Sequence, residues 1–192
     1  MVMVHAPFAM AAAFAVAIAL SPPAAAGAQT SPAPEITVTE AAGGYRVTAE
    51  FTVPAPAATV TSVLTDYERI PEFMPDVKTS QVLERNAAGI VVEQEAAAKF
   101  MMFSKRIHLV LNVSEDGGTI RFRDRCGKSF ETYEGVWRLS GSGDRTTVRY
   151  ELTAKPLFEV PGFVLKRLLK RDATTLIHRL TAEIGRRREA SN

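Results

Sequence analysis

Two polar side chains stand where the alternation of their segments calls for apolar ones. Asp124 shares parity with Ile120, Phe122 and Cys126, and Gln94 shares it with Ile90, Val92, Ala96 and Ala98. A carboxylate on the dry face of a sheet is costly unless something pairs it, so its placement wants a reason. Either group could anchor the polar head of an otherwise apolar ligand. Alternatively, Asp124 closes the end of its strand by pairing with an arginine at the rim. Tyr133 and Tyr150 bring hydroxyls to the same kind of face, and Asp172 lies beside an apolar helical stripe, where Arg179 or a strand arginine could partner it.

Denser catalytic constellations are missing. The chain has no G-x-S-x-G, no H-E-x-x-H, no P-loop and no pair of cysteines. His108 shares parity with Arg106 and Asn112, and His178 falls on a basic helix side, so both read as solvated. Metal ligands do not cluster, and neither a metal nor another cofactor is expected. Cys126, the single cysteine, reads as a small buried side chain, and with no second thiol there is no internal disulfide.

The elements that must position these residues are legible from periodicity. Val164, Leu165, Leu168, Leu169, Ala173, Leu176, Ile177, Leu180 and Ile184 recur at three- and four-residue steps, which predicts a helix from Pro161 to Arg188. Lys166, Arg167, Lys170, Arg171 and His178 take its other side, and Arg186 to Arg188 complement the dipole at its C-terminal end. Such a helix needs a long apolar surface to lie on. Upstream, Glu35–Glu40 and Tyr45–Val53 alternate with period two around a glycine turn, and Val60, Val63, Leu64 and Tyr67 mark a short amphipathic helix. Six further strands follow from Asp76 to Ala154, joined by hairpin-length turns. Their apolar parities carry Ile107, Leu109, Leu111 and Val113, then Phe122, Tyr133, Trp137, Tyr150 and Leu152. The opposite parities carry Arg121, Arg123, Arg125, Arg149 and Glu151. The expected fold is α+β, a curved antiparallel sheet wrapped around a long C-terminal helix, with space left between the two.

At 192 residues the chain has room for one domain and an addressing segment. A net charge of +2 gives no drive toward nucleic acid. The apolar run Phe8–Leu20, followed by Ala26-Gly27-Ala28, predicts a signal peptide over 1–28, then a flexible leader over 29–34 and a domain over 35–189. The expected address is periplasmic or secreted, with an uncleaved anchor as the other outcome.

The stretches VPAPAATVTSVLTDYERIPEFMPDVKTSQVLER, EGVWRL and TTVRYELTAKPLFEVPGFVLKRLL, in that order, resemble the START-like (Bet v 1-like, helix-grip) superfamily, in its polyketide cyclase/dehydrase and coenzyme Q-binding branch. The resemblance implies a hydrophobic cavity between sheet and helix. The residues expected to contact a ligand there are Gln94, Phe122, Asp124, Tyr133, Trp137, Tyr150, Leu169, Ala173, Leu176 and Leu180. The expected role is non-catalytic binding or transport of a lipid, quinone or isoprenoid-like molecule; the alternative is a cyclase/dehydrase-type enzyme using the same cavity. Phe100, Met101, Met102 and Phe103, flanked by Lys99, Lys105 and Arg106, form an apolar run where a polar turn is usual. They either gate the cavity and touch an anionic membrane or simply continue their strands into the core.

Overall fold

The computed structural model describes residues 33–191 apart from 42, 101 and 102, and of 99, 100 and 103 it describes the backbone alone. Strands form where the period-two pattern runs unbroken. They are β1 (Glu35–Ala41), β2 (Gly44–Val53), β3 (Val77–Asn86), β4 (Gly89–Phe100), β5 (Phe103–Asp116), β6 (Thr119–Asp124), β7 (Phe130–Ser142) and β8 (Arg145–Pro156). Between β2 and β3 the chain forms α1 (Ala57–Leu64), a 3-10 turn (Tyr67–Arg69) and α2 (Ile70–Phe73); α3 (Gly162–Ala190) follows β8. The predicted signal peptide, the leader up to residue 32, Met101 and Met102 lie outside the described residues.

The eight strands make one antiparallel sheet in the order β1-β2-β8-β7-β6-β5-β4-β3. Every consecutive pair from β3 to β8 is a hairpin, while α1 and α2 carry the chain from β2 to the opposite edge. The β5–β6 turn shows why glycine is needed there: Gly117 and Gly118 both have positive φ, 50° and 81°, which a two-residue hairpin demands. The expected α+β architecture is the one adopted.

Inward parity buries Val47, Phe51, Val92, Leu109, Leu111, Trp137, Val148 and Tyr150. Onto this face α3 turns Leu165, Leu168, Ala173, Ile177, Leu180 and Ile184, which its spacing predicted. The helix packs against β1, β2, α1 and α2. Its C-terminal end is held by charge. Arg187 donates from Nη2 to Asp66 Oδ2 at 2.7 Å, from Nε to Glu183 Oε1 at 2.7 Å and from Nη1 to the Ser62 carbonyl at 3.1 Å. Arg186 bonds the same Glu183 carboxylate, and Arg188 donates to the Pro54 carbonyl. These arginines therefore tie the helix to the α1 region as well as complementing its dipole.

Candidate ligand cavity

Where α3 crosses the curved sheet, the two do not close on each other, and a cavity of about 350 Å³ remains. That volume lies toward the small end of ligand pockets, which span about 300–1,000 Å³. Leu165, Leu168, Leu169, Ala173 and Leu176 of α3 form one wall. The sheet supplies Leu109, Leu111, Ile120, Phe122, Trp137 and Tyr150, and Tyr67, Ile70 and Met74 close one end. Asp76, Arg171, Asp172 and Thr175 line the cavity and are also solvent-exposed, so the mouth lies between α3 and the segment joining α2 to β3.

Gln94, Phe122, Tyr133, Trp137, Tyr150, Leu169, Ala173 and Leu176, all expected ligand contacts, line this cavity. Leu180 and Asp124 do not. Leu180 is 2 % exposed and belongs to the solid core. Asp124 ends β6 and turns its carboxylate to backbone N–H groups: Val110 N at 2.9 Å and Cys126 N at 3.2 Å bond Oδ1, and Gly127 N at 3.0 Å bonds Oδ2. Burial acts to raise its pKa, but the bonds from Val110, Cys126 and Gly127 outweigh it and hold the carboxyl below the usual range. Asp124 is thus neither a ligand anchor nor the partner of a rim arginine; it staples the β6–β7 loop to β5. For the apolar tip, the backbones of Phe100 and Phe103 pair across the β4–β5 hairpin, so the strands run on to it.

Aromatic rings form much of the interior. Trp137 stacks on Tyr150, and Phe122, Tyr133, Phe130 and Phe158 follow one another with centroids 6.0, 4.8 and 6.3 Å apart. Gly135 makes room for this line: a β-carbon there would sit 2.5 Å from the Phe122 ring and 2.5 Å from the Glu151 carbonyl oxygen. Phe130 was not expected inside, because it has the opposite parity to Tyr133 and Trp137. A register shift between Phe130 and Thr132 turns it inward.

The polar groups of the cavity are few. Gln94 Nε2 reaches Ser80 Oγ at 3.1 Å, and the Tyr67 hydroxyl donates to Glu115 Oε1 at 2.7 Å. Burial, then the bond and charge of Glu115, raise the Tyr67 hydroxyl far above its ordinary range. Burial pushes Tyr133 up to about 12, with the charges of Asp172 and Asp124 adding to it. Asp172 bonds the neighbouring Arg171, whose Nε and Nη2 lie 3.1 and 2.9 Å from Oδ1, rather than Arg179 or a strand arginine. Its side chain keeps 48 % of its surface because that surface faces the mouth. Even so, the protein packed around it raises its pKa by desolvation; Arg171 offsets part of this and Asp76 adds to it.

Polar chemistry also gathers at two places on the outer face of the sheet. On the outer face, a depression of about 530 Å³ is built from the sheet and one of its turns alone, and its charges pair across strands, as Arg123 does with Glu134 at 2.6 Å. His108 sits on that face with Glu93 and Glu95 at 3.5 and 3.8 Å, and no metal-binding cluster occurs among the described residues.

Residues 53–181 match the family described as polyketide cyclase/dehydrase and lipid transport. The chain belongs to this family. The polyketide cyclase/dehydrase and lipid transport fold recurs in solved structures. A START superfamily protein from Mycobacterium smegmatis is 22% identical, with 73% of this chain and 97% of that one covered at a TM-score of 0.65. A STAR-related lipid transfer protein from Xanthomonas axonopodis is 19% identical, with coverage of 82% and 96% and a TM-score of 0.66. The Zhui aromatase/cyclase from a Streptomyces species is 18% identical, with coverage of 77% and 97% and a TM-score of 0.64. At such identities the likeness establishes the fold. No curated protein matches the sequence.

Proposed function

We propose that this chain binds and carries a hydrophobic small molecule, a lipid, quinone or isoprenoid-like compound, in the cavity between sheet and α3. In this reading it works outside the cytoplasm and leaves its cargo unchanged. The observation that carries it is the cavity itself: an apolar, aromatic-lined space whose charged lining residues among those described, Asp76, Arg171 and Asp172, lie at its mouth. The lipid-transfer protein among the similar structures supports it by analogy of fold.

A second reading, a polyketide cyclase/dehydrase-type enzyme, is favoured by one observation. Desolvation raises the pKa of Asp172 beside the cavity, and its charge acts on the Tyr133 hydroxyl. A carboxyl group of raised pKa near a phenol is material for general acid–base work. Mass spectrometry of the organic extract of protein purified from its native compartment separates the two. One unmodified apolar compound in stoichiometric amount supports carriage. Turnover of a bound polyketide into a cyclised or dehydrated product supports the enzyme.

A further inference from the structure

Polarity is distributed unevenly along the cavity. Asp76 and Asp172, both at the mouth, are the carboxylates that line it among the described residues, and Arg171 is the cation. Arg171 places Nε and Nη2 at 3.1 and 2.9 Å from Asp172 Oδ1, and no donor among the described residues reaches Oδ2 or the Asp76 carboxylate. Lys105 lies outside the lining, with its Nζ 5.8 Å from the Phe158 ring centroid. Further in, Tyr150 is 4 % exposed and its hydroxyl has no partner among the described residues. Among the described residues no enclosed polar side-chain atom is left unpaired, so this hydroxyl opens into the cavity and meets whatever fills it.

We infer that the occupant is an amphiphile whose head group donates hydrogen bonds, an ammonium or a hydroxyl, and rests at the mouth against the Asp172 and Asp76 carboxylates. The inference rests on the ligand-binding reading and adds the class of ligand to it. A carboxylate or phosphate head would face two like charges, with the one lining guanidinium already committed. A donor head supplies the proton that each free oxygen lacks, while the tail lies along Leu165, Leu169 and the aromatic wall. Tyr133 and Tyr150 leave room for a further polar atom in an otherwise apolar body.

The test uses decylamine, decanol and decanoate, which share a tail and differ in the head. Trp137, the only tryptophan, lines the wall and reports occupancy through its fluorescence. At neutral pH and low salt, decylamine and decanol should both bind more tightly than decanoate, the amine by about tenfold. In the Asp76→Asn, Asp172→Asn double variant the three should converge to within about threefold. Both side chains are exposed, and either single substitution serves if the double variant misfolds, with its preference reduced part-way. Decanoate binding as well as decylamine in the wild type, or a preference unchanged in the variants, overturns the head-group assignment and leaves the binding function standing. Failure of all three to bind overturns both.

Discussion

The indole of Trp137 lies 4.1 Å from the ring of Tyr150, centroid to centroid, and 28° from parallel. Their strands, β7 and β8, set the two residues opposite each other, so the stack follows from register. Such pairs contribute about 0.5–1.5 kcal/mol beyond their buried area. Because the Tyr150 hydroxyl has no protein partner among the described residues, Tyr150→Phe should change stability by less than about 0.5 kcal/mol. Tyr150→Ala should cost about 3–5 kcal/mol. Denaturant unfolding measures both; a loss above about 1 kcal/mol in the Phe variant would reveal a hydrogen bond made without ligand.

Leu176 and Leu180 are one helical turn apart on α3 but differ in what they face. Leu180 is 2 % exposed within the core, whereas Leu176 lines the cavity. Leu180→Ala should cost about 2–5 kcal/mol and leave ligand affinity nearly unchanged. Leu176→Ala should cost less, because one side of its side chain already lacks packing partners, and should alter affinity for an apolar probe. Equal losses for the two, with no change in binding, would place solid core at Leu176.

Asp124→Ala removes three acceptor contacts at once and leaves the N–H groups of Val110, Cys126 and Gly127 without their partner. The expected cost is about 1–3 kcal/mol, with probe binding retained. Loss of binding at unchanged stability would return Asp124 to the ligand site.

Glu183 carries the acid dependence of the α3 clamp. The bond from Arg186, followed by that from Arg187, lowers its pKa from the usual 4.5 to about 2, against the opposing effect of desolvation. Since the folded value lies below the unfolded one, this contribution is complete above pH 4.5 and is lost as the pH falls toward 2. Glu183→Gln should flatten the fall in stability across that window and lower stability at pH 7 by about 1–3 kcal/mol. Parallel pH profiles for the two proteins would show that the clamp contributes nothing.

Much of this fold was legible because it depends on period and turn chemistry. The eight strands and α3 follow from alternation, from glycine turns and from the three- and four-residue stripe, and the inward parity of Trp137 and Tyr150 follows with them. Parity fails where the backbone departs from regularity. Phe130 turns inward through a register shift that no residue type announces. Asp124 has inward parity, but it stands at a strand end, where a short carboxylate can bond backbone N–H groups two and three residues on. Glu183 was legible in principle, since Arg186 and Arg187 follow it at the spacing of helical ion pairs. The mouth was not, because Asp76 and Asp172 meet only through the tertiary fold.

Leu157 and Phe163, beside the start of α3, are 57% and 79% exposed, and Lys166, Arg167 and Lys170 follow on the exposed side of the helix. Were the protein to touch an anionic membrane, exposed apolar side chains followed by cations along the helix would suit the contact, each cation contributing about 1 kcal/mol near the surface. Replacing Leu157 and Phe163 by Ser should slow transfer of a fluorescent lipid between anionic vesicles while leaving its affinity intact. Added salt should slow the wild-type protein on anionic vesicles and have little effect on neutral ones. Unchanged transfer in the double variant would show that this surface does not contact the vesicle.

The uneven anchoring of α3 has a mechanical consequence. Ile184 and the arginine contacts with Asp66, Ser62 and Pro54 fix its far end, while Leu165, Leu169 and Leu176 roof an empty space. The two halves of the helix therefore stand on different footings: residues beyond Ile177 are held by packing and charge, while Leu165, Leu169 and Leu176 border the cavity on one side. A guest in the cavity would add contacts to the first half alone, so its binding should slow amide hydrogen exchange there more than in the second half.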